Sequence, residues 1–198
     1  LLMTGAGLLL RSFSMLLQSD VGFNPERLVA MQVFAWDRNE TPEKRAAFFN
    51  QVLDRMRGLP QVQSVGAVSA MPFIEADINI VTAIVVDARP RVAPGDEPSG
   101  FFTVARAGYF DAMRIPLRRG RLFSEDDRMN TRPVAVISET FARRGWPGED
   151  PIGRSFRYRW AGQLQPAEVI GVVADVRHDA LDRPARAEVF IPHTPIPF

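Results

Sequence analysis

Cysteine is absent from the 198 residues of this chain, and histidine occurs only at His178 and His193. Disulfide bonds and thiolate metal ligands are therefore excluded, and the two histidines are too far apart in sequence to form a helical pair of metal ligands. The absence of cysteine does not identify the cellular compartment, since large extracytoplasmic domains need no disulfides. A phosphate-binding loop and a nucleophile elbow are also missing from the sequence.

Neither sign of charge is in excess. The chain has 24 basic and 23 acidic residues and a formal net charge of +1. A nucleic-acid-binding protein normally shows a basic excess or patch, so we expect no nucleic-acid partner. The hydrophobic content of 46% and the charged content of 24% are ordinary for a folded protein, which argues against global disorder and against a bundle of membrane helices. A length of 198 residues fits one domain, or one domain with two lobes.

An apolar, uncharged segment occupies residues 1–10 and is followed by Arg11. A membrane-spanning helix needs about 20 apolar residues, so this segment is too short alone but fits the last half of such a helix. We expect residues 1–20 to be the end of a transmembrane or juxtamembrane helix; a soluble amphipathic helix is the alternative. A signal peptide is disfavoured, because a basic n-region and a small-x-small cleavage site are lacking. The chain starts at Leu1 rather than Met, so we expect a processed product or a fragment.

The first half of the chain contains a predicted strand-helix-strand unit. Residues 28–35 and 62–68 predict strands, and Thr41-Pro42-Glu43 between them has the composition of a helix start. Apolar residues from 49 to 56 then recur at the spacing of a one-sided helix. Further along we expect strands at 80–86 and 101–106, an exposed connection at 89–99 and a short helix at 108–113.

A rigid turn organises the second half. The segment GWPGEDPIG at residues 145–153 has three Gly and two Pro, which interrupt both helices and paired strands. Around it we expect a strand at 133–137, a short helix at 138–144 and a strand at 154–158, with Trp146 filling the gap between helix and sheet. A nearly all-apolar central strand at 168–174 and a last strand at 188–191 complete the pattern.

These units predict an α+β fold with two lobes, built from strand-helix-strand units with mixed sheets and preceded by the partial membrane helix. The core domain is expected at 21–198, with lobes at roughly 21–106 and 107–198.

The strongest polar cluster follows the predicted central strand and contains Asp175, His178 and Asp179. These side chains could hold a metal or perform acid-base chemistry. The favoured interpretation is structural, because a buried strand that reaches solvent normally carries such charges and a third convergent group is lacking.

Three other groups of side chains invite a functional and a structural interpretation. Glu125, Asp126 and Asp127 after Ser124 could form a paired-carboxylate site, but Ser-Glu-Asp-Asp is also a good helix start. The basic run could meet anionic lipid or an acidic partner, but a solvated face is favoured; it consists of Arg114, Arg118, Arg119 and Arg121. Two aromatic pairs could bind an apolar ligand, but core packing is favoured; they are Phe101-Phe102 and Tyr109-Phe110. The sequence therefore predicts no enzyme, no catalytic, cofactor-binding or metal-binding residues, and no cofactor.

Several motifs together resemble the MacB-like periplasmic core domain of macrolide-exporter-type ABC transporter permeases, above all the duplicated large permeases. They span nearly the whole chain: GAGLLLRS at 5–12, GFNP at 22–25, LPQVQSV at 59–65, GYF at 108–110, IPL at 115–117, RGR at 119–121, the segment 134–154 and the segment 169–178. Each motif is weak alone, and their combination is specific. Ala107 stands where the family often has Pro, and we expect a local loop change only. Gly145 stands where a bulkier residue is usual before Trp146.

The resemblance implies a protein of the inner membrane whose two-lobed domain lies outside that membrane, with residues after about 20 on the periplasmic side. It implies as partners an ABC ATP-binding subunit or domain, the transmembrane helices of the same permease, a periplasmic adaptor protein, and lipid at the N-terminal helix. Such a domain is expected to couple the motion of the ATPase to substrate efflux.

Three hypotheses from different classes follow. The leading one is the extracytoplasmic core domain of an ABC-type export permease. The alternative is a free-standing extracytoplasmic binding or sensor module. A hydrolase or metalloenzyme built on Asp175, His178 and Asp179 is third.

Overall fold

The computed structural model describes residues 20–33, 41–74, 80–86, 99–128, 133–160, 162–178, 180–181 and 183–192. The helices are α1 (Pro42–Arg57), α2 (Tyr109–Met113) and α3 (Glu139–Gly145), with a 3-10 turn at Glu125–Arg128. The strands are β1 (Ile80–Val86), β2 (Ser99–Ala105), β3 (Leu117–Gly120), β4 (Val134–Ser138), β5 (Ser155–Trp160), β6 (Gln163–Val173) and β7 (Glu188–Pro192). In these described ranges no helix is long and apolar enough to cross a membrane. The predicted membrane helix falls on residues 1–19 and thus lies outside the described residues.

The seven strands form one mixed sheet that closes on itself. Their order is β3-β6-β4-β7-β2-β1-β5, and β5 also pairs with β6, so six strands form a ring to which β3 is added. The pairs β2–β7 and β4–β6 are parallel, and the others are antiparallel. Helices and a mixed sheet confirm the predicted α+β class. Strands from both predicted lobes share this sheet, and the division at residues 106 and 107 stays a prediction.

The length of β6 makes the closure possible. Its first half pairs with β5 and its second half with β3, while β4 pairs with the other edge of the second half. A bulge lies opposite Ala135 and Val136, where the paired residues skip from Val169 to Gly171. A Cβ on Gly171 would lie 2.2 Å from the Arg121 carbonyl oxygen, so the close approach of the Arg121 backbone requires glycine there. Bulges of this kind bend a strand and increase its twist, which curls the sheet.

Apolar side chains form one cluster inside the ring and another on its outer face. The inner cluster has members from all six ring strands, and the outer cluster joins α2 to β4, β6 and β7. Trp146 belongs to the inner cluster, 6% exposed, with its ring centroid 6.1 Å from Phe141 of α3 and 6.4 Å from Phe156 of β5. The prediction that Trp146 fills the gap between helix and sheet is confirmed.

Most predicted elements are present, including the helix start at Thr41, whose side chain accepts a hydrogen bond from the Lys44 N–H at 3.4 Å. The predicted strand at 28–35 is not formed over residues 28–33, and at 62–68 only Val68 makes a single bridge, to Ala105. A strand needs a neighbour for its backbone groups, and Val29 is 83% exposed. The strand β3 and the first half of β6 were not predicted.

Candidate functional site

Asp175 directly follows β6 and binds the first turn of α3. Its carboxylate accepts hydrogen bonds from the Thr140 backbone N–H at 2.6 Å and from the Thr140 hydroxyl at 2.7 Å. The guanidinium of Arg143 donates to the same carboxylate at 3.0 Å. Ser138 caps the helix as well, because its hydroxyl oxygen accepts from the Phe141 N–H at 3.2 Å. Asp175 thus satisfies one of the N–H groups that a helix start leaves without intrahelical partners, and its negative charge faces the positive end of the helix dipole.

His178 is buried beside Glu188, the first residue of β7. The imidazole Nε2 lies 2.8 Å from Glu188 Oε2, and the two side chains are 3% and 2% exposed. In the described part of the chain His178 Nε2 has no hydrogen-bond partner, so this is a close polar contact rather than a hydrogen bond. The other carboxylate oxygen of Glu188 accepts from the Thr103 hydroxyl at 2.6 Å. Glu188 is therefore held between β2 and the segment that follows β6.

The hydroxyl of Tyr109 extends this buried polar cluster. It has no hydrogen-bond partner in the described part of the chain, and Tyr109 is 3% exposed. Burial raises the pKa of Tyr109 far above its usual range, and the negative charge of Glu188 raises it further. A neutral hydroxyl enclosed in this way is suited to packing rather than to proton exchange with solvent.

Asp175 and His178 bind different partners, so the structure does not join them in one site. Asp175 contacts α3, whereas His178 contacts β7. Asp179, the third member of the predicted cluster, lies outside the described residues. Within the described ranges, no group of three acidic, histidine or cysteine residues is arranged to hold a metal ion. Sequence reasoning missed Glu188, although a lone Glu at the start of an apolar strand is a usable signal.

The acidic residues that follow Ser124 also do not share one site. Asp127 is buried and forms two hydrogen bonds with the Arg121 guanidinium, at 2.6 and 2.8 Å, whereas Asp126 is exposed. Asp127 also accepts from the Ser124 N–H at 2.8 Å and from the Ser124 hydroxyl at 3.0 Å. The hydrogen bonds from Arg121, assisted by those from Ser124, lower the pKa of Asp127 to about 2 although burial opposes them. The predicted helix start is a single 3-10 turn, and its described acids, Asp126 and Asp127, do not form a paired site.

Acids also face two members of the predicted basic run. Arg118 lies 3.5 Å from Glu139, and Arg119 lies 3.7 Å from Asp150. These residues line a groove of about 390 Å³ beside Trp146. A second cavity of about 280 Å³ shares Arg118 and Glu139 and reaches Asp175. Basic and acidic side chains both line these cavities, so the predicted basic run does not form a uniformly basic patch.

Three of the four residues in the predicted aromatic pairs are packed in the core, whereas Phe101 is half-buried. Phe102 is 3% exposed and lies inside the ring against Tyr158, with ring centroids 5.1 Å apart. The Arg186 guanidinium covers the ring of Phe101 at 3.7 Å. Tyr109 and Phe110 are buried in the outer cluster.

The loop after β6 joins four parts of the molecule. Besides α3 and β7, it binds residue 21 through the Arg177 N–H, which donates to the Val21 carbonyl at 3.0 Å, and residue 73 through the His178 carbonyl, which accepts from the Phe73 N–H at 2.9 Å. Residues that the sequence singled out as a possible chemical site thus connect distant segments. This connecting loop is the candidate functional element of the described structure.

Comparison with known proteins gives one family match and several relatives. The family described as the MacB-like periplasmic core domain matches residues 3–196. A macrolide export ATP-binding/permease protein MacB from Aggregatibacter actinomycetemcomitans is 34% identical over 67 residues, which cover 34% of this chain and 10% of that protein. MacB from Neisseria gonorrhoeae (strain ATCC 700825 / FA 1090) is 27% identical over 116 residues, 54% of this chain and 17% of that protein. The chain therefore spans a small part of these relatives.

Two solved structures are similar in part. The extracellular domain of the noncanonic ABC-type transporter YknZ from Gram-positive bacteria has a TM-score of 0.47 and 20% identity, over 72% of this chain and 60% of that one. The periplasmic region of MacB from Actinobacillus actinomycetemcomitans has a TM-score of 0.45 and 21% identity, over 72% of this chain and 55% of that one.

Proposed function

The chain belongs to the MacB-like periplasmic core domain family, and on that premise we propose that it is the extracytoplasmic core domain of an ABC-type export permease. In this role it couples the ATP-driven motion of a partner ATPase to the efflux of a substrate. The observation that carries the proposal is the family match, because it covers residues 3–196 rather than one motif.

The contacts of the polar residues support a mechanical role. Asp175 caps a helix, Asp127 binds Arg121, and Glu188 lies buried between strands. Charged groups used in this way hold elements in fixed relative positions. The absence of catalysis, metals and cofactors stays a prediction.

The proposal includes a location and partners. The chain is placed at the inner membrane with residues after about 20 on the periplasmic side, since an apolar helix that ends near residue 20 would leave the bilayer there. Its partners are the ABC ATP-binding subunit or domain, the transmembrane helices of the same permease and a periplasmic adaptor. Lipid contacts the N-terminal helix.

The location can be tested by labelling in intact cells, because the chain has no native cysteine to replace. In the parent permease, freed of its other cysteines, Gln163→Cys places a thiol at the exposed β5–β6 hairpin, and Ile137→Cys, at a side chain that is 0% exposed, is the matched control. A membrane-impermeant maleimide should label Q163C before lysis and should leave I137C unlabelled. Labelling of Q163C only after lysis would contradict the proposed location.

The parent gene provides a second test. Apolar stretches of about 20 residues on both sides of the segment would support a permease. A signal peptide directly before it and a stop codon directly after it would overturn the proposal in favour of a binding or sensor module.

A further inference from the structure

The N-terminal turn, residues 20–24, is bound to the loop that follows β6. We call that loop, residues 174–178, the latch loop. The backbone N–H of Arg177 donates to the Val21 carbonyl at 3.0 Å, and the Arg177 side chain donates through Nε to the Asp20 carbonyl at 3.1 Å. Two further bonds from the same guanidinium, to the carbonyls of Leu181 and Arg183 at 2.6 and 2.7 Å, fix its position. The turn is thus fastened by an arginine that is itself held at several points.

Gly22 brings the turn into close backbone contact with the latch loop. Its φ is +84°, and a Cβ there would lie 1.9 Å from the Asp175 carbonyl oxygen and 2.9 Å from the Val176 Cα. Both the backbone conformation and the space therefore require glycine. The side chain of Asp20 stabilises the turn by accepting from the Gly22 N–H at 2.8 Å. This contact is rigid because two backbones meet with no side chain between them.

The opposite side of the latch loop is attached to the closed sheet by two polar contacts. Asp175 binds the first turn of α3 through Thr140, and His178 contacts Glu188 at the start of β7. The Ser138 hydroxyl oxygen links these two places, because it accepts from the N–H groups of both Phe141 and Glu188, at 3.2 and 3.0 Å. A displacement of the latch loop would therefore reach α3 and β7 together.

Phe73 adds a strained contact to the same loop. Its φ of 61° is rare for a bulky side chain, and its N–H donates to the His178 carbonyl at 2.9 Å. Its ring lies 6.4 Å from that of Phe23 in the N-terminal turn. Strained backbone persists where the surrounding contacts fix it, and such positions occur at elements that switch.

From these contacts we propose that the latch loop transmits displacement of the N-terminal turn to α3 and β7. The inference deepens the proposed function and rests on it, since the displacement is useful to a transporter only if residues 1–20 come from the membrane. In the described structure a second route from the turn is the bond from the Asn24 N–H to the Met113 carbonyl, at 3.0 Å, which leads to α2. The two routes end at different helices and can therefore be distinguished.

Amide hydrogen exchange on the 198-residue chain tests the proposal without any transport assay. Gly22→Ala separates the turn from the latch loop, and Gly162→Ala is the matched control, because Gly162 has a similar φ of +80° but nothing within 4 Å of the added Cβ. We expect G22A to speed exchange at residues 174–178 and at the amides of Thr140, Phe141 and Glu188 by about tenfold, the change that follows when stabilising hydrogen bonds are lost. G162A should leave these amides unchanged.

A milder variant keeps the test decisive if G22A does not fold. Asp20→Ala removes only the side chain that caps Gly22, and it should reproduce the same pattern with a smaller increase. Faster exchange confined to residues 20–24 in the folded variant, or faster exchange at α2 without α3, would overturn the proposal. Failure of the proposed function would appear in cell labelling and would leave the exchange pattern intact, so the two failures are separable.

Discussion

The Asp175 carboxylate receives both the backbone N–H and the hydroxyl of Thr140, at 2.6 and 2.7 Å, across 35 residues of sequence. An N-terminal cap is usually supplied by the residue that precedes the helix. Here Ser138 occupies that position and a second cap comes from another strand end. The start of α3 is therefore fixed to the end of β6 as well as to β4.

This double cap predicts a measurable loss of stability. Asp175→Ala should lower the free energy of unfolding by about 1–2 kcal/mol, the usual effect of removing a capping side chain. Urea denaturation measures the change, and Asp126→Ala, at an exposed acid outside α3, is the control and should stay within about 0.5 kcal/mol of the parent. A double-mutant cycle with Thr140→Ala should show coupling; additive effects would contradict the assigned contact.

Asp127 predicts the acid sensitivity of the fold. Its pKa in the folded chain is about 2, below its unfolded value of 3.8, so its contribution is present above about pH 4 and is lost as the pH falls from 4 to 2. Asp127→Asn should cost up to about 2 kcal/mol at pH 7 and should flatten the dependence of stability on pH in this window. Urea titrations from pH 2 to 7 measure both effects. Asp126→Asn, at the exposed neighbour, should retain the parent slope; equal slopes for D127N and the parent would refute the argument.

Trp146 predicts a large packing effect. Because the indole lies in the inner cluster between Phe141 and Phe156, Trp146→Ala should destabilise the chain by about 3–5 kcal/mol, and Trp146→Phe by less. Leu164→Ala, at a side chain that is 39% exposed, provides the control and should cost far less. Thermal unfolding followed by circular dichroism gives the comparison. A W146A variant as stable as L164A would show that the indole does not belong to the core.

Local sequence signals predicted the elements that depend on local physics. The cap at Thr41 starts α1, and the Gly- and Pro-containing turn after Gly145 places Trp146 against the sheet. Elements that depend on distant partners were missed. The first half of β6 is polar and contains Pro166, which is tolerated because only β5 pairs with that half.

The candidate site shows the same division. The sequence grouped Asp175 with His178, yet their partners, Thr140 and Glu188, come from distant parts of the chain, so their separate roles follow only from the closed sheet. At residues 28–33 the sequence predicted an element that is not formed. Their apolar pattern predicts a strand, but a strand forms only beside another, and here Val29 is 83% exposed.

At Tyr109 we expect the removal of a polar group to cause no loss of stability. Its hydroxyl is buried without a hydrogen-bond partner in the described part of the chain. Folding therefore removes its hydrogen bonds to solvent, and no described residue replaces them. Tyr109→Phe keeps the ring contacts with Phe110 and Phe190, whose centroids lie 5.2 and 6.1 Å away, and should leave the free energy of unfolding unchanged or raise it by about 1 kcal/mol.

The free energy of unfolding above pH 10 provides a second test, to which a change in packing alone would make no difference. The unfolded Tyr109 ionises near pH 10.0, whereas burial and Glu188 keep the folded hydroxyl neutral far above that value. The ionisation of Tyr109 therefore leaves the stability of the fold unchanged below pH 10 and lowers it as the pH rises further, because only the unfolded chain then releases the proton. In Y109F the decline of stability above pH 10 should be shallower than in the parent chain. A Y109F variant that is less stable than the parent at pH 7 would show that the hydroxyl has a partner in the folded state. An equally steep decline above pH 10 would show that the folded hydroxyl ionises as readily as the unfolded one.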